Sequence, residues 1–493
     1  MKMPRMREAC LPGGIAVLLI SNGQLIAPLG AVVSAALLIV FADGERPAAR
    51  LVVLAPLFLL AHCFIWFHII PAPGLLYYAA ACAYGLAHFL PYVVQRALKA
   101  SERSFAFTLA FPGAYVGVEA LLDRLTPYGS WSSLAYTQSP DSLFGQLAAL
   151  GGVAFVTFAL TWTAAIAAWA WVRRADARAI GGVTLAVALV LTGLSGVSVL
   201  RARLLPPPRA NVTIAGLLPD RTLRQALERQ TRDMHGDPSA SLIAASTALN
   251  EDLISRTRTA ASQGAQIVVW PETAARLLKH DEPSFVAEIT SLSHQTGAFI
   301  FASYGTLNPG AERPFENRVA VVSPTSGLVA TFDKAHPIVG TEANSVRAGP
   351  AVLPSVETPF GRIGVIICHD ADFPRFVRQA RQRQVDLLIN PADDWPTIQD
   401  LHANMARYRA VENGLTLVRI ANGISFVADP TGRIQAQTNS FAGGASSFLF
   451  TTAVRRTAAY GGEDAFVVFC ALMLCALVIF ALTVSLSRRS ARR

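Results

Sequence analysis

Positions 364–370 read Gly-Val-Ile-Ile-Cys-His-Asp, an apolar run that ends in a thiol followed by two polar side chains. Such a run predicts a buried strand with Cys368 at its end. Similar runs alternate with helical segments, so the sequence predicts an α/β layered domain, in which functional residues collect where strands end. The predicted strands are Asn211–Ala215, Ile267–Trp270, Phe299–Ser303, Ile363–Cys368, Asp386–Asn390 and Leu415–Ile420, and the predicted helices are Ser241–Gln263, Ser284–Thr296, Phe373–Gln384 and Ile398–Asn413.

Two more ionisable side chains occupy comparable places in this domain. Glu272 follows the apolar run Val268–Trp270, and Lys334 ends a strand of a hairpin predicted around Ser323–Gly327. Taken singly, Glu272 and Lys334 fit ordinary surface charges, and Cys368 fits a buried small hydrophobe. Taken together, the three provide a base, a cation and a nucleophile, which are the groups that covalent catalysis by a thiol needs.

The composition of the whole chain indicates a membrane protein. Of its 493 residues, 52% are hydrophobic and 15% are charged, whereas a soluble domain carries about 25% charged residues. The formal net charge is +9, but the basic residues lie in short clusters between apolar runs. Because that arrangement is typical of membrane topology, we expect no nucleic-acid partner.

Six apolar runs are long enough to cross a bilayer, which takes about 20 helical residues. They are Leu51–Ile70, Leu75–Val94, Phe105–Leu122, Leu147–Val172, Ala179–Leu200 and Ala465–Leu486. The run Leu11–Ala42 is too long for one span, and Asn22, Gly23 and Pro28 interrupt it, so we predict two short helices in a hairpin. The sequence therefore predicts a polytopic α-helical membrane protein with about eight spans, one of them after the soluble domain.

Basic clusters predict the orientation, since Lys and Arg collect in cytoplasmic loops. With two helices in the Leu11–Ala42 hairpin, the clusters at both termini and within residues 46–50, 96–103 and 173–178 fall on one side of the membrane. With a single helix there, the latter two clusters would lie outside. We therefore expect cytoplasmic termini and an extracytoplasmic domain. The predicted boundaries are 1–208 for the N-terminal membrane domain, 209–456 for the soluble domain and 457–493 for the last span and basic tail.

Few ionisable residues lie within the predicted spans. Glu119 is a candidate either for function or for a structural role near the membrane surface. His62, His68 and His88 are expected to be packed or hydrogen-bonded and not to bind a metal. Cys368 is the only cysteine of the exported domain, because the other five lie in or beside apolar spans.

The order and surroundings of Glu272, Lys334 and Cys368 resemble the Glu-Lys-Cys triad of the nitrilase (carbon–nitrogen hydrolase) superfamily. Segments 390–395, 402–414 and 418–425 resemble the same domain in apolipoprotein N-acyltransferases, and segments 111–119 and 126–138 resemble the membrane part of that family. Its members also have seven spans before the domain and one after it. The resemblance covers nearly the whole chain.

This resemblance implies an α-β-β-α sandwich in a multi-pass enzyme of the bacterial inner membrane, facing the periplasm. The enzyme would move a fatty acyl chain from a phospholipid, through a thioester, to the N-terminal amine of a diacylglyceryl-cysteine lipoprotein. Glu272 would be the general base, Cys368 the nucleophile, and Lys334 the group that favours the thiolate and the oxyanion. The backbone N–H of His369 would be a second oxyanion donor.

The resemblance also suggests residues beyond the triad. Glu342, eight residues after Lys334, occupies the position of a functional glutamate in the lid loop of the family. His369, Asp370 and Trp395 are candidate substrate-binding or lid residues. No metal or cofactor is expected, and the chain is expected to be a monomer.

Several positions depart from the family pattern. His369-Asp370 replaces the usual Tyr-Glu, and the lid segment 336–342 lacks the usual Pro-Phe-Gly-Glu. Segment 216–219 lacks Gln-Gly-Asn, segment 221–241 is longer and has no Trp, and the stretch around Asn422 is one residue short. These departures leave open a membrane-tethered amidase or hydrolase, or transfer to a different amine. A non-catalytic transport or sensing protein is disfavoured because all three triad residue types are present.

Overall fold

The computed structural model describes residues 3–23, 25–27, 29–44, 46–99, 105–173, 177–232, 238–457 and 461–490. The chain divides into two compact units, Met1–Leu204 with Tyr460–Arg493, and Leu205–Ala459. Its helices are α1 (Met3–Ile20), α2 (Gly30–Ala42), α3 (Pro47–Ile65), α4 (Gly74–Lys99), α5 (Ala110–Leu125), α6 (Ala148–Val172), α7 (Ala177–Arg203), α8 (Arg221–Arg232), α9 (Ala240–Ser262), α10 (Glu282–Thr296), α11 (Pro374–Gln382), α12 (Gln399–Asn413) and α13 (Glu463–Ser490).

The first unit contains α1 to α7 and α13. Among the described residues, four segments are long and apolar enough to cross a membrane, namely Pro47–Ile65, Phe105–Leu125, Gly145–Val172 and Glu463–Ser487. Shorter apolar helical segments occur at Gly30–Ala42 and Gly181–Leu194. The first unit thus has several helices that fit membrane spans, while the count of eight stays a prediction.

The run Leu11–Ala42 folds as two helices, as its polar interruption predicted. The first of these helices ends at Ile20, and the second begins at Gly30. The two contact each other through Ser34, whose hydroxyl donates to the carbonyl of Gly14 at 2.9 Å.

Glu119 lies buried on α5, and both of its oxygens are hydrogen-bonded. Oε2 accepts from the hydroxyls of Ser133 at 2.9 Å and Thr157 at 2.8 Å, and Oε1 accepts from the backbone N–H of Leu134 at 2.6 Å. These bonds tie α5 to the loop that follows it and to α6. Of the two roles considered for Glu119, this placement favours the structural one.

Two of the three membrane histidines are packed and hydrogen-bonded, as expected. The rings of His62 and His88 stack with centroids 5.7 Å apart. Each Nδ1 lies within 3.0 Å of the carbonyl four residues earlier, that of Phe58 or Tyr84. His68 lies in an exposed turn after α3.

The second unit is built on two sheets. Its strands are β1 (Ala210–Leu217), β2 (Ile267–Val269), β3 (Ala275–Leu278), β4 (Phe299–Leu307), β5 (Phe315–Ser323), β6 (Gly327–Asp333), β7 (Ser355–Thr358), β8 (Gly361–Val365), β9 (Leu387–Asp393), β10 (Thr416–Asn422), β11 (Ile424–Ala428), β12 (Ile434–Asn439) and β13 (Ser447–Val454). The first sheet has the order β13-β1-β2-β4-β5-β6 with β3 beside β4, and the second has the order β12-β11-β10-β9-β8-β7. The strands β1, β2 and β4 are parallel, as are β8, β9 and β10.

The core lies between the two sheets, and helices cover their outer faces. Along β1, Val212 and Ile214 contact the core between the sheets, whereas Ala215 and Leu217 belong to a second apolar cluster under α9 and α10. This alternation is expected for a strand buried on both faces. On the other side, α11 and α12 pack against the second sheet. The expected α-β-β-α sandwich is confirmed.

All six predicted strands and all four predicted helices of this unit are present, with shifted ends. The shift that matters most concerns β8, which ends at Val365 and not at Cys368. The chain leaves the ladder after Ile366, whose N–H donates to the Ile389 carbonyl at 3.1 Å, and Cys368 begins a short 3-10 turn.

Candidate active site

Cys368 occupies a sharp turn immediately after β8. Its φ is 44°, in the left-handed region that non-glycine residues rarely adopt. Asp370 holds the turn closed, because its backbone N–H donates to the Ile367 carbonyl at 2.9 Å and its Oδ2 accepts from the Ile367 N–H at 3.0 Å. Cys368 itself is only 3% exposed. The turn therefore fixes the thiol in a strained position, which is a common feature of functional residues.

Glu272 and Lys334 form a buried ion pair next to the thiol. Glu272 follows β2 and Lys334 follows β6, so both stand where strands end, as predicted. The Nζ of Lys334 donates to Oε1 of Glu272 at 2.8 Å, and Nδ2 of Asn317 donates to the same oxygen at 2.6 Å. The charges of Glu272 and Lys334 both act on the Cys368 thiol. The structure thus brings the three predicted residues together.

Burial dominates the protonation of this group. It raises the pKa of the Cys368 thiol well above its ordinary value; Glu272 adds to the increase, and Lys334 opposes it. Burial also raises the pKa of Glu272, although Lys334 counteracts it. For Lys334, burial works against the charge, but Glu272 and Glu342 outweigh it and raise the pKa. The thiol is therefore protonated at rest, and ionising it needs a base.

Glu342 lies directly on Lys334. Its Oε2 accepts from Nζ of Lys334 at 2.6 Å and from the backbone N–H of Ile338 at 2.8 Å. Burial would raise the pKa of Glu342, but Lys334 outweighs that effect and lowers it. The loop is anchored further at its end, where the Ser345 carbonyl accepts from the Phe315 N–H at 3.0 Å. Lys334 therefore bridges two carboxylates, one from the triad and one from the loop.

The other predicted substrate or lid residues differ in exposure. The side chains of His369 and Asp370 are buried and bonded within the protein. Oδ1 of Asp370 accepts from the backbone N–H of His336 at 2.9 Å and lies 2.8 Å from Nδ1 of the His336 ring. This favours a positioning role for both, and their contact with substrate stays a prediction. Trp395 is half-buried and lines the cleft described next.

A cleft of about 410 Å³ opens over Glu272, Lys334 and Glu342. Arg224 and Arg276 line its wall, and a neighbouring cavity of about 310 Å³ shares both arginines with it. Arg224 donates to both oxygens of an aspartate in the wall, Asp393, at 2.9 and 3.0 Å, and Arg276 donates to the Thr273 carbonyl at 3.0 Å. The cleft therefore gives access to Glu272 and Lys334, and its walls carry carboxylates, among them Glu316 and Asp393, as well as the two arginines.

Sequence reasoning missed several buried polar residues around the triad. Asn317 gives no signal, because it stands between Glu316 and Arg318 in the polar first part of β5. Asp372, Asp394, His402 and Arg419 form a hydrogen-bonded cluster behind Cys368. Arg419 did give a signal, because it is a charged residue inside the otherwise apolar strand β10. A buried charge needs partners, so Arg419 could have predicted a buried polar cluster.

Two sets of donor atoms in this cluster are spaced closely enough for a metal ion. They are Cys368, Asp394 and His402, and His369, Asp372 and His402. Arg419, however, donates to both oxygens of Asp394, at 2.8 and 3.0 Å. A cation held by the first set would face this guanidinium, so we assign Asp394 to an ion pair with Arg419 and not to a metal site.

Comparisons with known proteins define the class. Residues 227–458 match the carbon-nitrogen hydrolase family, and residues 13–166 match the apolipoprotein N-acyltransferase N-terminal domain. Among solved structures, the chain is similar to Nit3 of Saccharomyces cerevisiae, a member of the nitrilase superfamily, with 18% identity, coverage of 53% of this chain and 95% of that one, and a TM-score of 0.40. The sandwich and the matched domains make this chain a carbon-nitrogen hydrolase relative with an additional helical unit.

Curated relatives narrow the class further. The apolipoprotein N-acyltransferase of Geobacter metallireducens is 26% identical over 377 residues, which cover 71% of this chain and 69% of the relative. The enzyme of the same name from Rickettsia prowazekii is 42% identical over 196 residues, which cover 35% of this chain and 39% of the relative. The chain is thus similar to apolipoprotein N-acyltransferases in both of its units.

Proposed function

We propose that this chain is a membrane acyltransferase that moves a fatty acyl chain from a phospholipid to the N-terminal amine of a diacylglyceryl-cysteine lipoprotein. One observation carries the proposal. Glu272 and Lys334 line a cleft and act electrostatically on the Cys368 thiol, in a chain whose residues 13–166 match the N-terminal domain of apolipoprotein N-acyltransferases. The similarity to these enzymes supports the reaction, and the roles of the individual residues are our inference.

The first half-reaction forms a thioester on Cys368. Glu272 takes the thiol proton, and the thiolate attacks the acyl carbonyl of the phospholipid ester. Lys334, with the backbone N–H of His369 as second donor, stabilises the negative charge on the carbonyl oxygen. The ester C–O bond then breaks, and the leaving alkoxide takes the proton held by Glu272. The products are a lysophospholipid and the acyl-enzyme.

The second half-reaction uses the same groups in reverse order. Glu272 accepts a proton from the lipoprotein amine as its nitrogen attacks the thioester carbonyl. The C–S bond breaks, and the Cys368 thiolate recovers the proton from Glu272. The product is an amide, and the resting enzyme is restored without any cofactor.

Glu342 fits a role in admitting the acceptor. It shares Lys334 with Glu272 at 2.6 Å, so a movement of its loop would change the charge that Lys334 presents to the oxyanion. Such loops often complete an active site when a substrate binds.

The membrane setting gives this chemistry a physical rationale, because both substrates are lipids that stay in the bilayer. We propose eight spans, an inner-membrane location and a periplasmic domain, from the one-sided basic clusters. A reporter fused after Arg493 should then be cytoplasmic, and one inserted near Pro238 should be exported. If both reporters lie on the same side of the membrane, Leu11–Ala42 crosses the membrane only once. A monomer without nucleic-acid partners remains part of this proposal.

One experiment separates transfer from hydrolysis. Purified protein given phospholipid alone should stop after about one equivalent of lysophospholipid, because ping-pong chemistry stalls without its second substrate. Adding a diacylglyceryl peptide with a free amino terminus should restart turnover, whereas the same peptide with an acetylated terminus should not. Steady release of free fatty acid, unaffected by either peptide, would instead identify a membrane-tethered hydrolase.

A further inference from the structure

A chain of buried polar side chains runs behind the nucleophile, and we call it the His402 chain. Oδ2 of Asp372 lies 2.6 Å from Nδ1 of His369 and 3.1 Å from Nε2 of His402. Nδ1 of His402 lies 3.0 Å from Oδ1 of Asp394, to which Arg419 donates at 2.8 Å. The five residues come from the turn after β8, the end of β9, helix α12 and strand β10.

The His402 chain is almost fully buried, so its charges must balance. None of its five side chains belongs to a residue more than 5% exposed. Two carboxylates and one guanidinium leave one negative charge without compensation, and a buried charge of that kind is costly. His402 supplies the missing positive charge. Burial alone would lower its pKa, but Asp372 and Asp394 outweigh burial and raise that pKa to about 9.

The His402 chain reaches the nucleophile at Asp394. The sulfur of Cys368, a carboxylate oxygen of Asp394 and a ring nitrogen of His402 all lie within 4.8 Å of one another. A carboxylate at that distance disfavours a thiolate. Arg419 and a charged His402 offset this repulsion. Asp372 faces the other ring nitrogen of His402, Nε2.

We propose that His402 is a positioning residue whose imidazolium, fixed by Asp372, offsets the Asp394 carboxylate and so allows the Cys368 thiolate to form. The thiol proton still goes to Glu272. This inference rests on the proposed function, in which Cys368 is the nucleophile. It adds a second source of positive charge near the sulfur, besides Lys334.

The charged groups that face the His402 chain include Asp400 of α12, which interacts electrostatically with Asp394. His402 faces Asp372 and His369 from the turn after β8, and Asp394 with its partner Arg419 from β9 and β10. Cys368 itself also faces Glu272 and Lys334, which the substitutions below leave unchanged. Asp372 is suited to a test because it does not line the cleft. It also holds His369 at 2.6 Å within the turn that carries Cys368, so the pH dependence of the effect is the readout that identifies His402.

The test is the alkylation of Cys368 by iodoacetamide in the full-length protein, followed on the Cys368 peptide by mass spectrometry between pH 6 and pH 10. In Asp372→Asn, His402 should lose its charge at neutral pH. The variant should therefore react about tenfold more slowly than wild type, the ratio that one pKa unit produces. The ratio should approach one above about pH 9, where His402 of the wild type also loses its proton.

Asp386→Asn is the matched control. Asp386 is an equally buried carboxylate at the other end of β9, where it accepts from the Arg362 N–H at 2.9 Å and pairs with Arg209 at 3.2 Å. Its substitution removes a buried charge from the same sheet without touching the His402 chain. Alkylation of Cys368 in this variant should match wild type at every pH.

Two results would overturn the inference. One is an unchanged rate in Asp372→Asn, and the other is a reduced rate whose ratio to wild type is the same at all pH values, which indicates a structural defect. If Asp372→Asn does not fold, His402→Gln must give the pH-dependent ratio instead, and its absence there rejects the inference. A wild-type Cys368 that is unreactive in the folded protein would contradict the proposed nucleophile as well.

Discussion

Glu119 in the helical unit and Glu272 in the sandwich are both buried carboxylates, 8% and 5% exposed. Glu119 uses both oxygens, and its three donors come from a neighbouring loop and from α6. Glu272 accepts from Lys334 and Asn317 on Oε1 alone, and among the described residues no donor reaches its Oε2. The distribution of hydrogen-bond donors over the two oxygens, more than burial, therefore distinguishes a structural carboxylate from one that can take a proton.

The largest effect on activity is expected when the Cys368 thiol, the proposed nucleophile beside Glu272, is removed. Cys368→Ala should abolish acyl-enzyme formation, because no other thiol lies in the second unit. The measurement is hydroxylamine-sensitive label transferred from a radiolabelled phospholipid. Cys475→Ala, at an exposed thiol on α13, should keep the label. Label that persists in Cys368→Ala would place the acyl group elsewhere.

The same substitution at the two carboxylates gives the sharpest contrast. Glu272→Gln keeps the shape and the acceptor for Asn317 but cannot take a proton, so acylation should slow roughly 10²- to 10⁴-fold. Glu119→Gln should leave acylation of the folded protein near wild type. Single-turnover release of lysophospholipid measures both. Equal losses in the two variants would remove the distinction between the two sites.

A pH profile tests the protonation of Glu272. Burial raises its pKa, so the base becomes protonated, and acylation is lost, at a pH above the ordinary value of about 4.3 as the pH falls. The measurement is the single-turnover acylation rate between pH 4 and pH 8 under conditions where the protein stays folded. A rate that stays constant down to pH 4 would argue against Glu272 as the base.

A smaller loss is expected for Glu342→Gln. The substitution removes one of the two carboxylates on Lys334, and a hydrogen bond to a charged group contributes about 1.5 kcal/mol, which corresponds to a rate change on the order of tenfold. Overall transfer to the peptide amine should fall more than thioester formation. If thioester formation alone falls and transfer from a preformed thioester does not, the loop serves the donor instead.

The smallest effect on turnover and the clearest effect on stability are expected for Glu119→Gln. The amide has a single acceptor oxygen, so it cannot accept both from the backbone N–H of Leu134 and from the hydroxyls of Ser133 and Thr157 as the carboxylate does. Losing such a buried hydrogen bond destabilises a fold by about 1–3 kcal/mol. The melting temperature of the detergent-solubilised protein should fall while turnover per folded molecule is unchanged. Unchanged melting would mean that the three hydrogen bonds of Glu119 contribute little.

Much of the sandwich could be predicted because its central strands are apolar on both faces. The runs ending near Glu272 and Cys368 needed no long-range information, and Lys334 followed from the turn of its hairpin. The strand β13 was not predicted, although it pairs with β1 along its whole length from Ser447 to Val454. That pairing joins segments more than two hundred residues apart, and local pattern carries no signal for it.

Local sequence patterns could not predict the detailed geometry of the site either, because that geometry also depends on contacts between separate segments. The left-handed φ of Cys368 depends on the bonds that Asp370 makes on both sides of the turn. The ion pair of Asp372 with His402 joins the turn after β8 to α12, thirty residues later, and only packing brings them together. Local sequence therefore predicted Glu272, Lys334 and Cys368 as candidates near strand ends, whereas the residues that hold them depend on tertiary structure.

The Asp370 carboxylate bonds to two separate segments. One oxygen accepts from the N–H of Ile367, beside the nucleophile, and the other binds His336, two residues after Lys334. The segments that carry the nucleophile and the cation are thereby joined through a single side chain. A longer carboxylate at position 370 would push the loop of His336 away, unless position 336 changed with it. We therefore expect homologues to exchange the residues at these two positions as a pair.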